Sequence, residues 1–213
     1  MYIEIKNLSK KYKNEYVLNN INLSLDKNNI YGFVGINGSG KTMLFKAIAG
    51  LIIPTNGDIF INEKKLHKDI SFPESMGVII EKPAFLDYLS GYENLKVLSK
   101  IKNKIEDEQI FNILKLLHLE EHASKPVKQY SLGMKQRLGI AQAIMEDPEL
   151  LILDEPFNAL DKTGIEIVRS ILMKMKEEGK IILLTSHNKE DITLLCNEVF
   201  EIKNGEIISS TFM

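Results

Sequence analysis

Apolar and polar residues alternate from Tyr2 to Ile5 and again from Ile21 to Leu25, the period of two shown by antiparallel strands with one dry and one wet face. From Ile30 to Val34 the alternation gives way to a continuous apolar run, which runs directly into Gly35-Ile36-Asn37-Gly38-Ser39-Gly40. Lys41 to Gly50 then has the composition of a helix. Short strands are predicted at Asp58–Ile61 and Met76–Ile80, the second ended by Pro83.

From about Tyr92 the period becomes helical, with Leu95 and Leu98, then Ile110, Ile113, Leu114 and Leu117, then Leu138, Ile140, Ala141 and Ile144. No strand is read in this stretch, so the pattern predicts a helical lobe, residues 83–146, inserted into an α/β unit made of 1–82 and 147–213. The α/β pattern resumes with a strand at Leu150–Leu153, a helix from about Thr163 to Glu178 stopped by Gly179, and a strand at Ile181–Thr185. Asn204-Gly205, set between Val199–Lys203 and Glu206–Ser209, predicts a hairpin, because Asn-Gly tolerates the positive φ of a type I′ turn.

With 213 residues and 44% hydrophobic content, the chain can bury a sizeable core as a single unit. Its formal net charge of -2, from 27 basic and 29 acidic side chains, supplies no global field toward nucleic acid or an anionic bilayer, and no nucleic-acid partner is expected. The lone Cys196 forms no internal disulfide, and Met1 to Lys6 lacks a signal-peptide apolar block, so a cytoplasmic location is expected. The longest apolar runs, Leu150–Leu153 and Ile181–Leu184, are strand-sized and far short of the roughly 20 residues of a spanning helix. If this protein serves a membrane, another chain spans it.

Candidate chemistry changes the picture most at the glycine-rich turn. Gly35-Ile36-Asn37-Gly38-Ser39-Gly40-Lys41-Thr42 fits the pattern G-x-x-x-x-G-K-[ST] and sits between an apolar strand and a helix, the context that pattern requires. Its glycines let backbone N–H groups wrap phosphates, Lys41 reaches the terminal phosphates, and the Thr42 hydroxyl binds Mg²⁺. The helix that follows adds the positive end of its dipole.

Leu150-Leu151-Ile152-Leu153-Asp154-Glu155 is an apolar strand ending in adjacent carboxylates, which strand alternation would send in different directions. Asp154 is expected to hold Mg²⁺ through its water shell beside Thr42, and Glu155 to face the γ-phosphate and polarise the attacking water as general base. An isolated Asp-Glu pair would read as a solvated strand end. The phosphate loop ahead of it reverses that reading.

These motifs, in this order, resemble the ABC (ATP-binding cassette) ATPase family over nearly the whole chain. The resemblance implies an α/β P-loop NTPase fold with a mixed, largely parallel RecA-like sheet core, an antiparallel β subdomain and an inserted α-helical subdomain. Ser131-Leu132-Gly133-Met134-Lys135-Gln136-Arg137 sits where the family carries its signature sequence, whose serine and helix end reach the γ-phosphate of ATP held by the opposite subunit. Ser131 and Gly133 keep the family pattern, whereas Leu132 and Met134 replace its usual glycine and glutamine. Asn158-Ala159-Leu160-Asp161 resembles the loop that crosses the dimer interface, with Asp161 its key residue. His187, after the strand Ile181–Thr185, resembles the switch histidine at the γ-phosphate. Tyr12 resembles the aromatic that stacks on adenine, with Tyr16 close by as a second candidate.

Glu81 is the most diagnostic departure. It stands in Ile79-Ile80-Glu81-Lys82-Pro83, where the family usually has a glutamine that meets Mg²⁺, water and the membrane subunit. A carboxylate there adds charge near Mg²⁺ and three phosphates, with consequences for coupling or metal affinity. Together with Tyr130 to Arg137, it resembles the branch of bacterial exporters that serve bacitracin-type and lantibiotic self-protection.

The resemblance implies a subunit that binds and hydrolyses ATP with Mg²⁺, attached to the inner face of the cell membrane. It implies pairing, head to tail, with an identical or paralogous ATPase subunit and with a polytopic membrane permease. The permease would send a short helix into a groove near Glu81, where Phe85, Leu86, Tyr88 and Leu89 are candidate contacts. The alternative is a soluble ABC ATPase acting in assembly or regulation; translation factors of that kind usually carry two cassettes and a charged linker, and one cassette is present here. A chromosome-maintenance ATPase would need long heptads between the phosphate loop and Asp154, and the intervening stretch of about 110 residues lacks them. Glu155 speaks against a module that binds nucleotide without hydrolysing it.

Overall fold

The structure is a computed structural model that describes residues 1–213. The N-terminal strands β1 (Ile3–Tyr12) and β2 (Glu15–Leu25) pair antiparallel and run several residues beyond the alternating segments. The extra length was hidden because the register shifts after Ile5 and again near Leu8, where Asn7 and Asn20 take positive φ (50° and 47°). Each such bulge slips the inward-facing set by one residue, so Leu8 and Leu18 stay buried while the strict period is lost. β4 (Asn56–Ile61) pairs with β1, and the two-residue β5 (Lys64–Lys65), too short to leave a pattern, completes a sheet of order β2-β1-β4-β5.

The second sheet has the order β10-β9-β3-β8-β7-β6. β3 (Asn29–Val34), β6 (Met76–Ile79), β7 (Leu150–Leu153), β8 (Ile181–Thr185) and β9 (Glu198–Lys203) are mutually parallel where they pair, and β10 (Glu206–Phe212) returns antiparallel to β9 through the Asn204-Gly205 turn (φ 50° and 79°). Leu150 to Leu153 and Ile181 to Thr185 are fully buried, which is why they read as unbroken apolar runs.

Helix α1 (Lys41–Ile48) lies between the two sheets, with Leu44, Phe45 and Ile48 in one core with Ile3, Ile5, Ile59, Phe33 and Phe200. Phe33 packs edge-on to Phe45 and stacks on Phe200, at centroid distances of 5.3 Å in both cases. A second core covers the opposite sheet face. There the helices α2 (Gly91–Lys102), α3 (Asp107–Leu116) and α4 (Leu132–Ile144), which follow one another between β6 and β7, pack with α5 (Lys162–Glu177) and α6 (Lys189–Leu195). Ser90 opens α2 with a capping box, accepting from the Glu93 N–H while the Glu93 carboxylate takes the Ser90 N–H. The short helix α6 was not anticipated, although Asn188 as cap followed by Glu190 and Asp191 in its first turn is a legible start signal.

Candidate active site

The order β3-β8-β7 sets three strand ends side by side, and each continues into a segment that carries chemistry. This is the carboxyl edge of a parallel sheet, where ligand crevices form. A pocket of about 180 Å³ opens there, lined by Asn37, Gly38, Ser39, Gly40, Lys41, Thr42, Met43, Asp154, Glu155 and His187.

The loop between β3 and α1 is shaped by its glycines. Gly35 has φ 150°, and a Cβ there would stand 2.2 Å from the Ile202 carbonyl oxygen; Gly40, at φ 115°, closes the loop against Val17 and Gly205. Gly40 is also the N-cap of α1 and contributes no side chain, so the first amides of the helix face the pocket uncapped. Lys41 is buried, and its ammonium donates to the carbonyls of Gly35 (2.7 Å) and Ile36 (3.1 Å). Those neutral acceptors satisfy the cation within the loop; an anion would be a stronger partner.

Thr42 donates its hydroxyl to Asp154 Oδ2 at 2.6 Å, and Thr185 donates its own to Asp154 Oδ1 at 2.7 Å. The Asp154 carboxylate is thereby fixed between α1 and β8. Thr185 also accepts the Glu155 N–H at 2.8 Å. It escaped the sequence reading, although a hydroxyl ending the apolar run Ile181-Ile182-Leu183-Leu184 was the available signal.

Asp154 and Glu155 diverge, but strand alternation is not the cause. β7 ends at Leu153, and Glu155 has φ 54°, in the left-handed region, which turns its side chain toward the loop after β8. Glu155 Oε2 accepts the His187 N–H at 3.3 Å, and Oε1 lies 3.4 Å from His187 Nε2. Burial pushes the Glu155 carboxyl above the ordinary carboxylate range, with Asp154 adding to the rise and His187 and Lys41 opposing it. Oε1 is shielded from solvent and accepts no hydrogen bond, an acceptor left open beside His187.

No three His, Cys, Asp or Glu side chains converge to cage a metal. A hydroxyl and a single carboxylate suit a hard cation such as Mg²⁺, which keeps several waters and takes further ligands from substrate phosphates. Thr42 and Asp154 fit that requirement. Glu81 does not join them: its carboxylate pairs with Lys46 at 2.6 Å, one turn beyond Thr42 on α1, and it does not line the pocket. Its own φ is 64°, which bends the segment after β6 away from the strand direction.

Ser131, Gly133, Asp161 and Tyr12 also lie outside this pocket. Ser131 is the N-cap of α4, accepting from the Met134 N–H at 3.2 Å, and Asp161 is the N-cap of α5, accepting from the Gly164 N–H at 3.0 Å. Both are exposed, and the neighbouring Leu132 is 65% exposed. Gln136 donates to the Pro156 carbonyl at 3.0 Å, tying α4 to the loop after Glu155. Tyr12 and Tyr16 stand at the β1–β2 hairpin, each under a lysine (Lys10 and Lys11, at 5.1 and 4.2 Å), and both are about half exposed.

Comparison with known proteins gives a consistent result. Residues 18–158 match the family described as ABC transporter. The chain is 50% identical over 208 residues to the uncharacterized ABC transporter ATP-binding protein YybJ of Bacillus subtilis strain 168, covering 98% of this chain and 95% of that one. It is 40% identical to the bacitracin transport ATP-binding protein BcrA of Enterococcus faecalis, over 97% of this chain and 68% of that protein. It is 38% identical to the lantibiotic transport ATP-binding protein SrtF of Streptococcus pyogenes, over 97% of this chain and 89% of that protein. Among solved structures, the ATP-binding subunit of an ABC transporter superposes with TM-score 0.92 at 28% identity, covering 100% of this chain and 90% of that one. The dimeric structure of the bacterial ABC transporter cassette MJ0796 does so with TM-score 0.90 at 25% identity, covering 99% and 98%.

Proposed function

The chain belongs to the ABC transporter family as an ATP-hydrolysing subunit, and from that premise we propose that it drives export of a peptide antibiotic such as a lantibiotic or bacitracin. The ATPase reading is carried by the meeting of the phosphate loop, Asp154, Glu155 and His187 around one pocket. The cargo reading is supported by 40% and 38% identity to bacitracin and lantibiotic transport proteins along nearly the whole chain, and by Glu81 in place of the usual glutamine.

In this reading the loop amides from Asn37 to Thr42 wrap the β- and γ-phosphates, and Lys41 exchanges the Gly35 and Ile36 carbonyls for phosphate oxygens. Thr42 and Asp154 hold Mg²⁺, which when bound neutralises charge on the phosphates. Glu155 takes the proton of the attacking water, and His187 contacts the γ-phosphate from the β8 side. A buried carboxylate with a raised pKa is a stronger base than a solvated one.

Ser131, Leu132 and Asp161 are exposed on this chain because their partner is a second ATPase subunit, identical or paralogous. Two subunits closing head to tail would bring Ser131 and the open end of α4 to the γ-phosphate bound by the partner. No helix of the chain is long and apolar enough to cross a membrane, so the membrane path belongs to a permease. The permease docks beside Glu81, where Leu86 and Tyr88 (43% and 72% exposed) offer apolar surface, and the chain sits at the cytoplasmic face of the membrane. The Lys46–Glu81 pair is half exposed and worth about 0–1 kcal/mol, so docking can release it at little cost.

Deleting the gene and challenging the cells with a panel of lantibiotics and bacitracin tests the cargo. Heightened sensitivity to at least one peptide is expected, and unchanged sensitivity to all would sink the cargo reading. Purification from native cells in mild detergent with ATP and Mg²⁺ is expected to bring down a polytopic membrane protein.

A further inference from the structure

Asp191 is the most deeply buried carboxylate of the chain, 1% exposed in the first turn of α6. Its Oδ1 accepts from Arg169 of α5, with Nε at 2.9 Å, and Arg169 also reaches Glu190 at 3.2 Å. That ion pair pins α6 to α5 and would account for the carboxylate if Oδ1 were the oxygen in use and Oδ2 were idle. Oδ2 is not idle. It accepts the hydroxyl of Ser186 at 3.0 Å, and Ser186 Oγ in turn accepts the Asn188 N–H at 3.1 Å.

Between those two anchored residues stands His187. Its side chain is 58% exposed, so packing does not aim it. Its contacts with Glu155, through its N–H at 3.3 Å and Nε2 at 3.4 Å, depend on where the backbone of Ser186 to Asn188 is held. On the Glu155 side the frame is rigid, because Thr185 fixes the Glu155 N–H and Asp154 together. On the α6 side two side-chain hydrogen bonds tie this segment to the helix: the Asn188 cap, which accepts the Glu190 N–H at 2.9 Å beyond His187, and the Asp191–Ser186 bond, which alone holds the residue before it.

We infer that Asp191 and Ser186 are positioning residues for ATP hydrolysis: the buried carboxylate, oriented by Arg169, grips Ser186 and so aims His187 at Glu155 and the γ-phosphate. A bidentate, buried acceptor can hold a hydroxyl in one place far better than solvent can, and small misplacement of a group at the reacting atoms carries a large rate penalty. The inference rests on the proposed roles of His187 and Glu155, and it is tested so that the two can fail separately.

The experiment measures ATP turnover, KM, equilibrium nucleotide binding and thermal midpoint on the full chain for Ser186→Ala, Ser186→Thr, Asp191→Asn, His187→Ala and the Ser186→Ala/His187→Ala double variant. Ser186→Ala is expected to lower kcat about tenfold with KM and nucleotide affinity nearly unchanged, the signature of a contact used in the transition state. Ser186→Thr, which keeps the hydroxyl, restores kcat. Asp191→Asn lowers kcat in the same direction. The double variant is no slower than His187→Ala alone, because residues acting through one group are non-additive. Wild-type kcat in Ser186→Ala or Asp191→Asn, or full additivity in the double variant, overturns the inference while His187→Ala remains impaired. Normal turnover in His187→Ala itself removes the underlying reading of the site, and this inference with it.

Discussion

A Cβ placed on Gly133 would stand 2.7 Å from the carbonyl oxygen of Ala159. The first turn of α4 therefore rests directly on the backbone of the loop that leads to Asp161, and Ala159 itself takes φ 64° there. The two segments proposed to meet a second subunit are thus one rigid surface within this chain. Gly133→Ala must displace backbone, not a flexible side chain. Turnover is expected to fall at least about tenfold, roughly 1.4 kcal/mol of barrier, while ATP binding to the isolated subunit, measured by titration, is retained.

Because Ser131 and Asp161 lie outside the pocket of their own chain, the isolated subunit lacks half of each site in the proposed scheme. Specific ATPase activity should fall on dilution, in step with a dimer fraction measured by analytical ultracentrifugation. Constant specific activity across that range would sink the composite site.

Glu155→Gln keeps the shape of the side chain and the acceptor for the His187 N–H but cannot take a proton from water. Turnover is expected to drop by about 10²-fold or more, the range general-base catalysis supplies. The variant should also elute as an ATP-dependent dimer in size-exclusion chromatography, since closure without hydrolysis leaves nothing to reopen it.

Thr185→Val removes the hydroxyl that donates to Asp154 and accepts from Glu155 while preserving volume. It leaves a buried N–H without a partner, which costs about 1–3 kcal/mol. A lowered thermal midpoint is expected together with weaker Mg²⁺ dependence of nucleotide binding, read by titrating the cation.

Cys196 is buried against Gly32, and burial pushes its thiol up to about 12. The thiolate, the reactive form, is scarce in the folded chain at pH 8, so alkylation by iodoacetamide should proceed only as fast as the protein opens. Labelling at the rate of a free thiol in native buffer would show that α6 is not packed on β3 in solution.

The motifs of the site were legible because each is local. Gly35 to Thr42 needs only its own backbone, and the runs Leu150–Leu153 and Ile181–Thr185 announce strands buried on both faces. The long strands β1 and β2 were only half legible, since bulges at Asn7 and Asn20 erase the period that identifies a strand. Helix α6 was overlooked because its seven residues give too few turns for a period to show.

What the sequence by itself determined is which side chains could bind phosphate, hold a cation and accept a proton, since those properties belong to residue types at short spacing. What only the tertiary structure decided is which of them meet. Thr42 reaches Asp154 across 112 positions of chain because β3, β8 and β7 lie adjacent in one parallel sheet. Glu81 goes to Lys46 and not to the pocket, and Asp191 joins Arg169 to Ser186, for the same reason. Strand order and a few positive-φ residues set directions in space, and no pattern of polarity along the chain encodes a direction between segments far apart.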